Sequence, residues 1–228
     1  MLAVAFYSPG VPRGLVFFDV DGTLVPRTSS GQHLAESLGH ADAVREAEAG
    51  YAAGTLSNQQ VAVLDARGWQ ARNPAQVRGF LESLPLVEGV EETVGWCRRQ
   101  GLAPVLATLA WEVVGAYLCD RFGFDRACGP RLTVVDGVYS GEVAEHFDEN
   151  DKRDFALGVA AELGVAPRHC AAVGDSRSDL PLFAEVGMAV AFNATPAARA
   201  AATASVSGDD LRAVLPVLAT WLETMPPR

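Results

Sequence analysis

Two aspartates one residue apart, Asp19 and Asp21, end a short apolar run and are followed by Gly22 and Thr23. Side chains at i and i+2 of a strand point to the same face, so both carboxylates could address one ligand if extended geometry continues through Val20. Two carboxylates that face one site repel each other unless a cation lies between them. The pair therefore predicts a hard divalent ion with oxygen ligands, of which Mg²⁺ fits best.

Further chemical groups follow other apolar runs. Thr108 comes directly after the run 103–107, and Asp175 and Asp179 follow the run 170–173. Ligands of open parallel sheets bind beyond the carboxyl ends of the strands, which is where these side chains are predicted to lie. Lys152 is predicted in the first turn of a helix. Acidic ligands, one hydroxyl and one lysine together suit a magnesium-bound phosphoryl group.

The elements that position these residues alternate between buried strands and amphipathic helices. This alternation predicts an α/β fold, a Rossmann-like three-layer core with a central, mostly parallel sheet. The predicted sheet strands are residues 15–18, 103–107, 170–173, 188–192 and 204–206. Asp136-Gly137 separates two further strand-like runs and predicts a small antiparallel hairpin. Asn150 or Asp151 is the predicted N-cap of the helix that carries Lys152.

Residues 27–83 have a different character, with polar and Ala-rich segments and no convincing strand. Several helices are the expected structure. We therefore predict two domains: a catalytic core of residues 1–26 and 84–228, and a helical cap of residues 27–83 inserted after the first strand.

Composition narrows the class of protein. The 228 residues are 49% hydrophobic, enough for a substantial buried core, and the formal net charge is -10. This charge opposes broad binding to nucleic acid or anionic membranes. The four cysteines form no zinc-like spacing, and residues 1–10 lack a basic export signal, so we expect a cytoplasmic protein with reduced thiols. The sequence does not predict an oligomeric state.

The ordered set of chemical residues resembles the four motifs of the haloacid dehalogenase superfamily of phosphohydrolases, in its phosphoserine-phosphatase-like branch. The resemblance covers most of the chain outside residues 27–84. Its motifs are Asp19-Val20-Asp21-Gly22-Thr23, Thr108, Lys152, and Gly174-Asp175 with Asp179.

The resemblance implies a role for each residue. Asp19 would be the nucleophile that forms an aspartyl-phosphate, and Asp21 would act first as general acid and then as general base. Thr108 would hydrogen-bond a phosphoryl oxygen, and Lys152 would offset negative charge. The implied Mg²⁺ ligands are Asp19, the backbone carbonyl of Asp21, Asp175, and Asp179 directly or through water.

The chain also departs from that branch. It has Thr108-Leu109-Ala110 where a Ser-Gly-Gly-like motif is expected, and Ser178 where an asparagine is usual. Thr28 replaces the acidic residue expected to meet an amino group, and Val63 falls near the arginine expected to hold a carboxylate. Without both partners, the ammonium and carboxylate groups of phosphoserine would be buried unpaired, which costs on the order of several kcal/mol of binding free energy. We therefore expect a different substrate.

The predicted function is Mg²⁺-dependent hydrolysis of a small organic phosphate monoester, with no nucleic-acid or membrane partner. Candidate substrate contacts are Thr28, His33, Gln60, Arg67 and Trp69 in the insertion, and Leu109, Ala110 and Trp111 after the second strand. Two alternatives remain at this point. One is a phosphotransferase or phosphomutase of the same fold, and the other is a phosphate-ligand-binding protein without turnover.

Overall fold

The computed structural model describes residues 11–225 and has a central parallel sheet flanked by helices, which confirms the predicted α/β class. The strands are β1 (Gly14–Phe18), β2 (Leu102–Leu106), β3 (Arg131–Val135), β4 (Val138–Glu145), β5 (Cys170–Gly174), β6 (Met188–Phe192) and β7 (Ala204–Val206). Five of them form the sheet in the order β2-β1-β5-β6-β7. Residues 1–10, where the sequence predicts no export signal, lie outside the described range.

Strand β1 lies between β2 and β5, and all three are buried along their whole length. The continuous apolar sequence of each strand suits a sheet that is covered on both faces. The parallel register pairs Phe18 with Leu106 on one side and with Val173 on the other. The three strands thus end at the same edge of the sheet, and the predicted chemical residues begin there.

Ten helices occur in the described residues. They are α1 (Ser30–Leu38), α2 (Ala41–Ala52), α3 (Asn58–Ala66), α4 (Pro74–Phe80), α5 (Val90–Arg99), α6 (Glu112–Phe122), α7 (Glu149–Glu162), α8 (Leu180–Phe183), α9 (Pro196–Ala201) and α10 (Leu215–Glu223). Short 3₁₀ turns lie at Arg67–Trp69, Leu81–Ser83, Pro167–His169, Arg177–Asp179 and Leu211–Val214. We call α1–α4 and the turns between them the cap. A division into two domains at residues 27 and 83 stays a prediction.

The two faces of the sheet are packed by two apolar clusters. Val16 and Phe18 of β1 belong to one, and Leu15 and Phe17 belong to the other, as the two-residue period of a strand requires. The first cluster continues into the cap, where it includes the fully buried Trp69. The cap is therefore packed on the same apolar core as the sheet.

The predicted hairpin is present, and it contacts the cap. Asp136 and Gly137 both have positive φ, 49° and 79°, at the turn between β3 and β4. Tyr139 of β4 accepts a backbone hydrogen bond from Ala71 (2.9 Å) and donates one to Arg72 (2.9 Å). The hairpin thus supports the cap from the side of the core.

The N-cap of α7 differs from the prediction. Asp148, rather than Asn150 or Asp151, is the N-cap, and its carboxylate accepts hydrogen bonds from the backbone N–H groups of Asn150 and Asp151. The backbone N–H of Asp148 in turn donates to the carboxylate of Asp151, which completes a capping box. The reciprocal pair satisfies donors at both positions. Lys152 still lies in the first turn, as predicted, and its side chain is fully buried.

No helix among residues 11–225 is long and apolar enough to cross a membrane. The four cysteines, Cys97, Cys119, Cys128 and Cys170, are all unpaired.

Candidate active site

Asp19 is the first residue after β1, and its side chain is only 4% exposed. Its backbone N–H donates to the carbonyl of Val173 in β5 (2.9 Å), so the sheet fixes its position. The chain then turns, because Gly22 has φ 87° and three successive N–H groups of residues 23–25 donate to the carbonyl of Val20. The strand geometry thus ends before Asp21, yet both carboxylates line the same cavity.

Gly22 is required by space as well as by its positive φ. A Cβ atom at this position would lie 2.3 Å from Oδ2 of Asp175. Only glycine allows the first loop to approach the loop after β5 this closely. The absent side chain therefore lets Asp19 and Asp175 face one another.

Asp21 is oriented by the cap. Its Oδ1 accepts a hydrogen bond from the backbone N–H of Ser30 (2.6 Å), the first residue of α1. Burial raises the pKa of Asp21, and the bond from Ser30 opposes that rise. A carboxyl group with a raised pKa can hold a proton and deliver it, which is what a general acid needs.

Lys152 is the only lysine in the chain, and it reaches the site from inside the fold. Its Nζ lies 2.9 Å from Oδ1 of Asp19 and 2.7 Å from Oδ1 of Asp179. Burial alone would lower the pKa of Lys152, but the two carboxylates outweigh burial and raise it. The lysine is therefore a fixed positive charge beside the predicted nucleophile.

Asp179 organises the loop after β5. Its Oδ2 accepts hydrogen bonds from the backbone N–H groups of Asp175 (2.9 Å) and Ser176 (3.0 Å). Because Oδ1 already contacts Lys152, both oxygens hold protein donors. The contacts of Asp179 are those of a residue that positions Asp175 and Lys152, and its role toward a metal stays a prediction.

The donor set fits a divalent cation. One carboxylate oxygen each from Asp19, Asp175 and Asp179 lies within 4.8 Å of the others. Burial, with the charges of neighbouring carboxylates, raises the pKa of Asp19 to about 7 against the attraction of Lys152, and raises that of Asp175 to about 9. One lysine therefore does not neutralise the cluster. A hard cation with oxygen ligands would supply the missing charge.

Thr108 lies two residues beyond β2 and is 1% exposed. Its Oγ1 accepts a hydrogen bond from the N–H of Ala110 (3.1 Å), which leaves the hydroxyl hydrogen free to donate. The next three residues, Leu109, Ala110 and Trp111, line the cavity, whereas Thr108 does not.

A cavity of about 1000 Å³ lies between the sheet edge and the cap. Of the predicted substrate contacts, Thr28, Leu109, Ala110 and Trp111 line it. The structure does not bring the other four to it. His33 hydrogen-bonds through Nε2 to the carbonyl of Phe80 (2.9 Å), Gln60 closes the capping box of α3, Arg67 lies in a 3₁₀ turn, and Trp69 is fully buried.

The cap instead contributes residues that the sequence reasoning missed, namely Gln32, Glu48, Tyr51 and Asp65. The sequence could have indicated Asp65, because it is an acid within the otherwise apolar stretch 61–66. Its carboxylate, 4% exposed, accepts hydrogen bonds from the indole N–H groups of Trp69 (2.9 Å) and Trp111 (2.6 Å). Glu48 had no comparable signal.

Three contacts join the cap to the core at the cavity rim. The first is the bond from Trp111 to Asp65. In the second, Arg177 stacks on the ring of Tyr51 (4.4 Å to the centroid) and donates to its carbonyl (2.8 Å). In the third, Asn58 donates to the carbonyl of Phe147 (2.8 Å). The structure therefore shows the cap closed against the core.

Comparison with known proteins places this site in a family. The family model for haloacid dehalogenase-like hydrolases matches residues 16–184, and the chain belongs to that family. The predicted class, a phosphoric monoester hydrolase, is confirmed.

Individual relatives are similar over most of their length. A phosphoserine phosphatase of Albidiferax ferrireducens is 28% identical over 212 residues, which cover 88% of this chain and 87% of the relative. A phosphoserine phosphatase of Methanocaldococcus jannaschii is 26% identical over 204 residues, which cover 89% of this chain and 96% of the relative. Among solved structures, a substrate-bound phosphoserine phosphatase complex matches with TM-score 0.81 at 25% identity, covering 90% of this chain and 97% of that one. A phospho-aspartyl intermediate analogue of phosphoserine phosphatase matches with TM-score 0.80, also at 25% identity, and the match covers 90% of this chain and 98% of that one.

Proposed function

We propose that this chain is a Mg²⁺-dependent phosphatase that hydrolyses a small organic phosphate monoester through an aspartyl-phosphate on Asp19. The observation that carries the proposal is the buried Asp19 carboxylate, ion-paired to the only lysine of the chain and facing a cavity that the cap covers. A carboxylate held in this way is an oriented nucleophile rather than a surface charge.

In the first step, a carboxylate oxygen of Asp19 attacks phosphorus in line with the leaving oxygen. The bond from phosphorus to the leaving oxygen breaks as the bond to Asp19 forms, and the proton of Asp21 passes to the departing alkoxide. The positive charge of Lys152 opposes the rise in the pKa of Asp19 that burial causes, and so favours the ionised nucleophile before the attack. The Thr108 hydroxyl, which lies just beyond β2, donates to a phosphoryl oxygen.

In the second step, the Asp21 carboxylate takes a proton from water while the water oxygen attacks phosphorus. The bond to Asp19 breaks, inorganic phosphate leaves, and Asp21 is again protonated for the next cycle. The hydrogen bond from the Ser30 N–H of α1 fixes the Asp21 carboxylate for both steps. Acid and base are thus one residue, kept in place by the cap.

Asp19, Asp175 and the backbone carbonyl of Asp21 would hold Mg²⁺, with Asp179 supporting them. The ion would supply positive charge to the phosphoryl oxygens and to the carboxylate cluster.

The substrate we propose is not phosphoserine, although the relatives carry that name. A buried substrate carboxylate needs a buried cation. Among the described residues that line the cavity, the basic ones are Arg27 and Arg45, whose side chains are 84% and 63% exposed and already pair with Asp209 and Asp42. Neither arginine is a buried partner for a carboxylate.

Inorganic phosphate release tests this proposal. The substrates are 4-nitrophenyl phosphate, phosphoserine, sugar phosphates, nucleotides and alcohol phosphates, each with Mg²⁺ and with a chelator. We expect chelator-sensitive release by the wild type and by Asp154→Asn, which changes an exposed acid of α7, and none by Asp19→Asn. Equal release by Asp19→Asn would contradict the mechanism. If phosphoserine were the best substrate, the proposal that the enzyme acts on a different phosphate monoester would be contradicted.

A further inference from the structure

Glu48 of α2 is a half-buried carboxylate that lines the cavity, and no described basic side chain lies within 4.0 Å of it. Its hydrogen-bond partner is the hydroxyl of Ser29. Burial raises the pKa of Glu48 to about 7, the Ser29 bond opposes the rise, and the charges of Asp21 and Asp65 add to it. A charged group removed from water without a cation is expensive, so this position favours a positive ligand.

Two further residues that line the same cavity each have a buried polar atom without a hydrogen-bond partner among the described residues. Gln32 is 8% exposed and lines the cavity. Its Nε2 donates to the carbonyl of Ala41 (3.1 Å), whereas its buried Oε1 has no hydrogen-bond partner within residues 11–225. The buried hydroxyl of Tyr51, which follows Glu48 by three residues on α2 and also lines the cavity, has none in that range either. Buried polar groups without partners are rare. A cavity lined by a carboxylate and by acceptors that lack a donor suits a ligand rich in N–H donors.

Gly31 marks the space that such a ligand would occupy. A Cβ atom at Gly31 would lie 3.4 Å from Oε1 of Glu48 and 3.8 Å from Oδ2 of Asp65. The two carboxylate oxygens therefore converge above a residue without a side chain. Gly31 also lines the cavity, so this space is open to the substrate side.

We propose that the leaving group of the substrate carries a protonated amine, which Glu48 binds in the space above Gly31, and that the substrate class is the phosphate monoesters of amino alcohols without a carboxylate. This inference rests on the proposed phosphatase function. An ammonium group offers three N–H donors, so it can bind the Glu48 carboxylate and still donate to another acceptor of the cavity lining. Arg45, exposed and paired with Asp42, does not compete for Glu48.

The test compares matched substrates that differ in one charge. Phosphate release is measured with Mg²⁺ from 2-aminoethyl and 3-aminopropyl phosphate, and from the nearly isosteric propyl and butyl phosphate, with 4-nitrophenyl phosphate as the general substrate. We expect wild-type kcat/KM to favour the amines about 10- to 100-fold, the range for a hydrogen bond to a charged group. Equal rates for amine and alkyl esters would overturn the inference.

Two variants test the residues. Glu48→Gln removes the charge, and Gly31→Ala fills the space at ordinary contact distances. Each should lower the amine-to-alkyl ratio of kcat/KM about tenfold or more. The matched controls, Glu46→Gln on the exposed side of α2 and Gly79→Ala with open space around it, should leave the ratio at the wild-type value.

The outcomes separate the two proposals. An unchanged ratio in folded Glu48→Gln would overturn the role of Glu48, and if that variant does not fold, Gly31→Ala and the wild-type ratio decide. Release from 4-nitrophenyl phosphate without preference for amines would overturn this inference alone. No release from any ester would overturn the proposed function and this inference with it.

Discussion

Replacing Lys152 with methionine should damage both stability and catalysis, because this one side chain serves two buried carboxylates. The Nζ atom lies 2.9 Å from Asp19 and 2.7 Å from Asp179. At an effective dielectric constant of about 20, each pair has a gross Coulomb attraction of about 6 kcal/mol, much of which desolvation offsets. Breaking a buried pair by removing one partner leaves a net loss of about 3–5 kcal/mol.

The catalytic loss follows from the same contacts. Without the lysine, Asp19 binds a proton more readily, and the site loses a fixed positive charge beside the phosphoryl group. Removing one such preorganised group typically lowers kcat about 10²- to 10³-fold. The two losses come from one substitution, but they are measured separately.

The assay is thermal and denaturant unfolding together with 4-nitrophenyl phosphate turnover, in Mg²⁺. Arg153→Met is the control, because Arg153 is the next residue on α7 and, in the part of the chain that the structure describes, pairs with Asn150 and Asp154 of its own helix. We expect Lys152→Met to lower Tm by about 10 °C and the control to lower it little. A Lys152→Met variant that loses less than about 1 kcal/mol of stability and keeps the wild-type kcat would show that Lys152 does not serve the two carboxylates in this way.

Three further predictions follow from the site. Asp65→Ala should destabilise the protein by about 2–4 kcal/mol in chemical denaturation, because two indole N–H groups lose a buried acceptor, and an unchanged midpoint would contradict that assignment. Gly22→Ala should weaken Mg²⁺ binding in calorimetry, because its Cβ would collide with the Asp175 carboxylate, and wild-type affinity would show that the loops can separate. In the metal-free protein, burial and neighbouring carboxylates raise the pKa of Asp19 to about 7 and that of Asp175 to about 9. Between about pH 4 and pH 9 the folded protein therefore binds more protons at these two groups than the unfolded chain does, so the free energy of unfolding falls as the pH rises through this range. Mg²⁺ should therefore raise Tm more at pH 9 than at pH 5, and an equal rise at both pH values would contradict this linkage.

The sequence predicted the fold class and the places of the core motifs because both depend on chain order. Apolar runs identify the strands, and parallel strands bring their carboxyl ends to one edge. Asp19, Thr108 and Asp175 follow three neighbouring strands for this reason. The fit of the metal cluster depended on a close approach of loops at Gly22, which the sequence only hinted at through an Asp-Gly pair.

The cap contacts were harder to predict, because the side chains of a short helix can face the core, the cavity or its own backbone. Gln60 became part of a helix N-cap, and His33 turned toward the carbonyl of Phe80. Trp69, which had the chemistry of a substrate contact, is packed in the apolar core. Glu48 has an ordinary helical sequence around it, and only the packing of α1 against α2 shows that it lines the cavity with no basic side chain of residues 11–225 within 4.0 Å.

The most direct test of the proposed mechanism is to trap the phosphorylated intermediate on Asp19. Wild-type protein and Asp19→Asn are mixed with Mg²⁺ and the substrate that turns over best, quenched in acid during turnover, and mapped by peptide mass spectrometry. We expect a hydroxylamine-sensitive phosphate on the Asp19 peptide of the wild type and none in the variant. Phosphate bound to another residue, or wild-type turnover by Asp19→Asn, would contradict it.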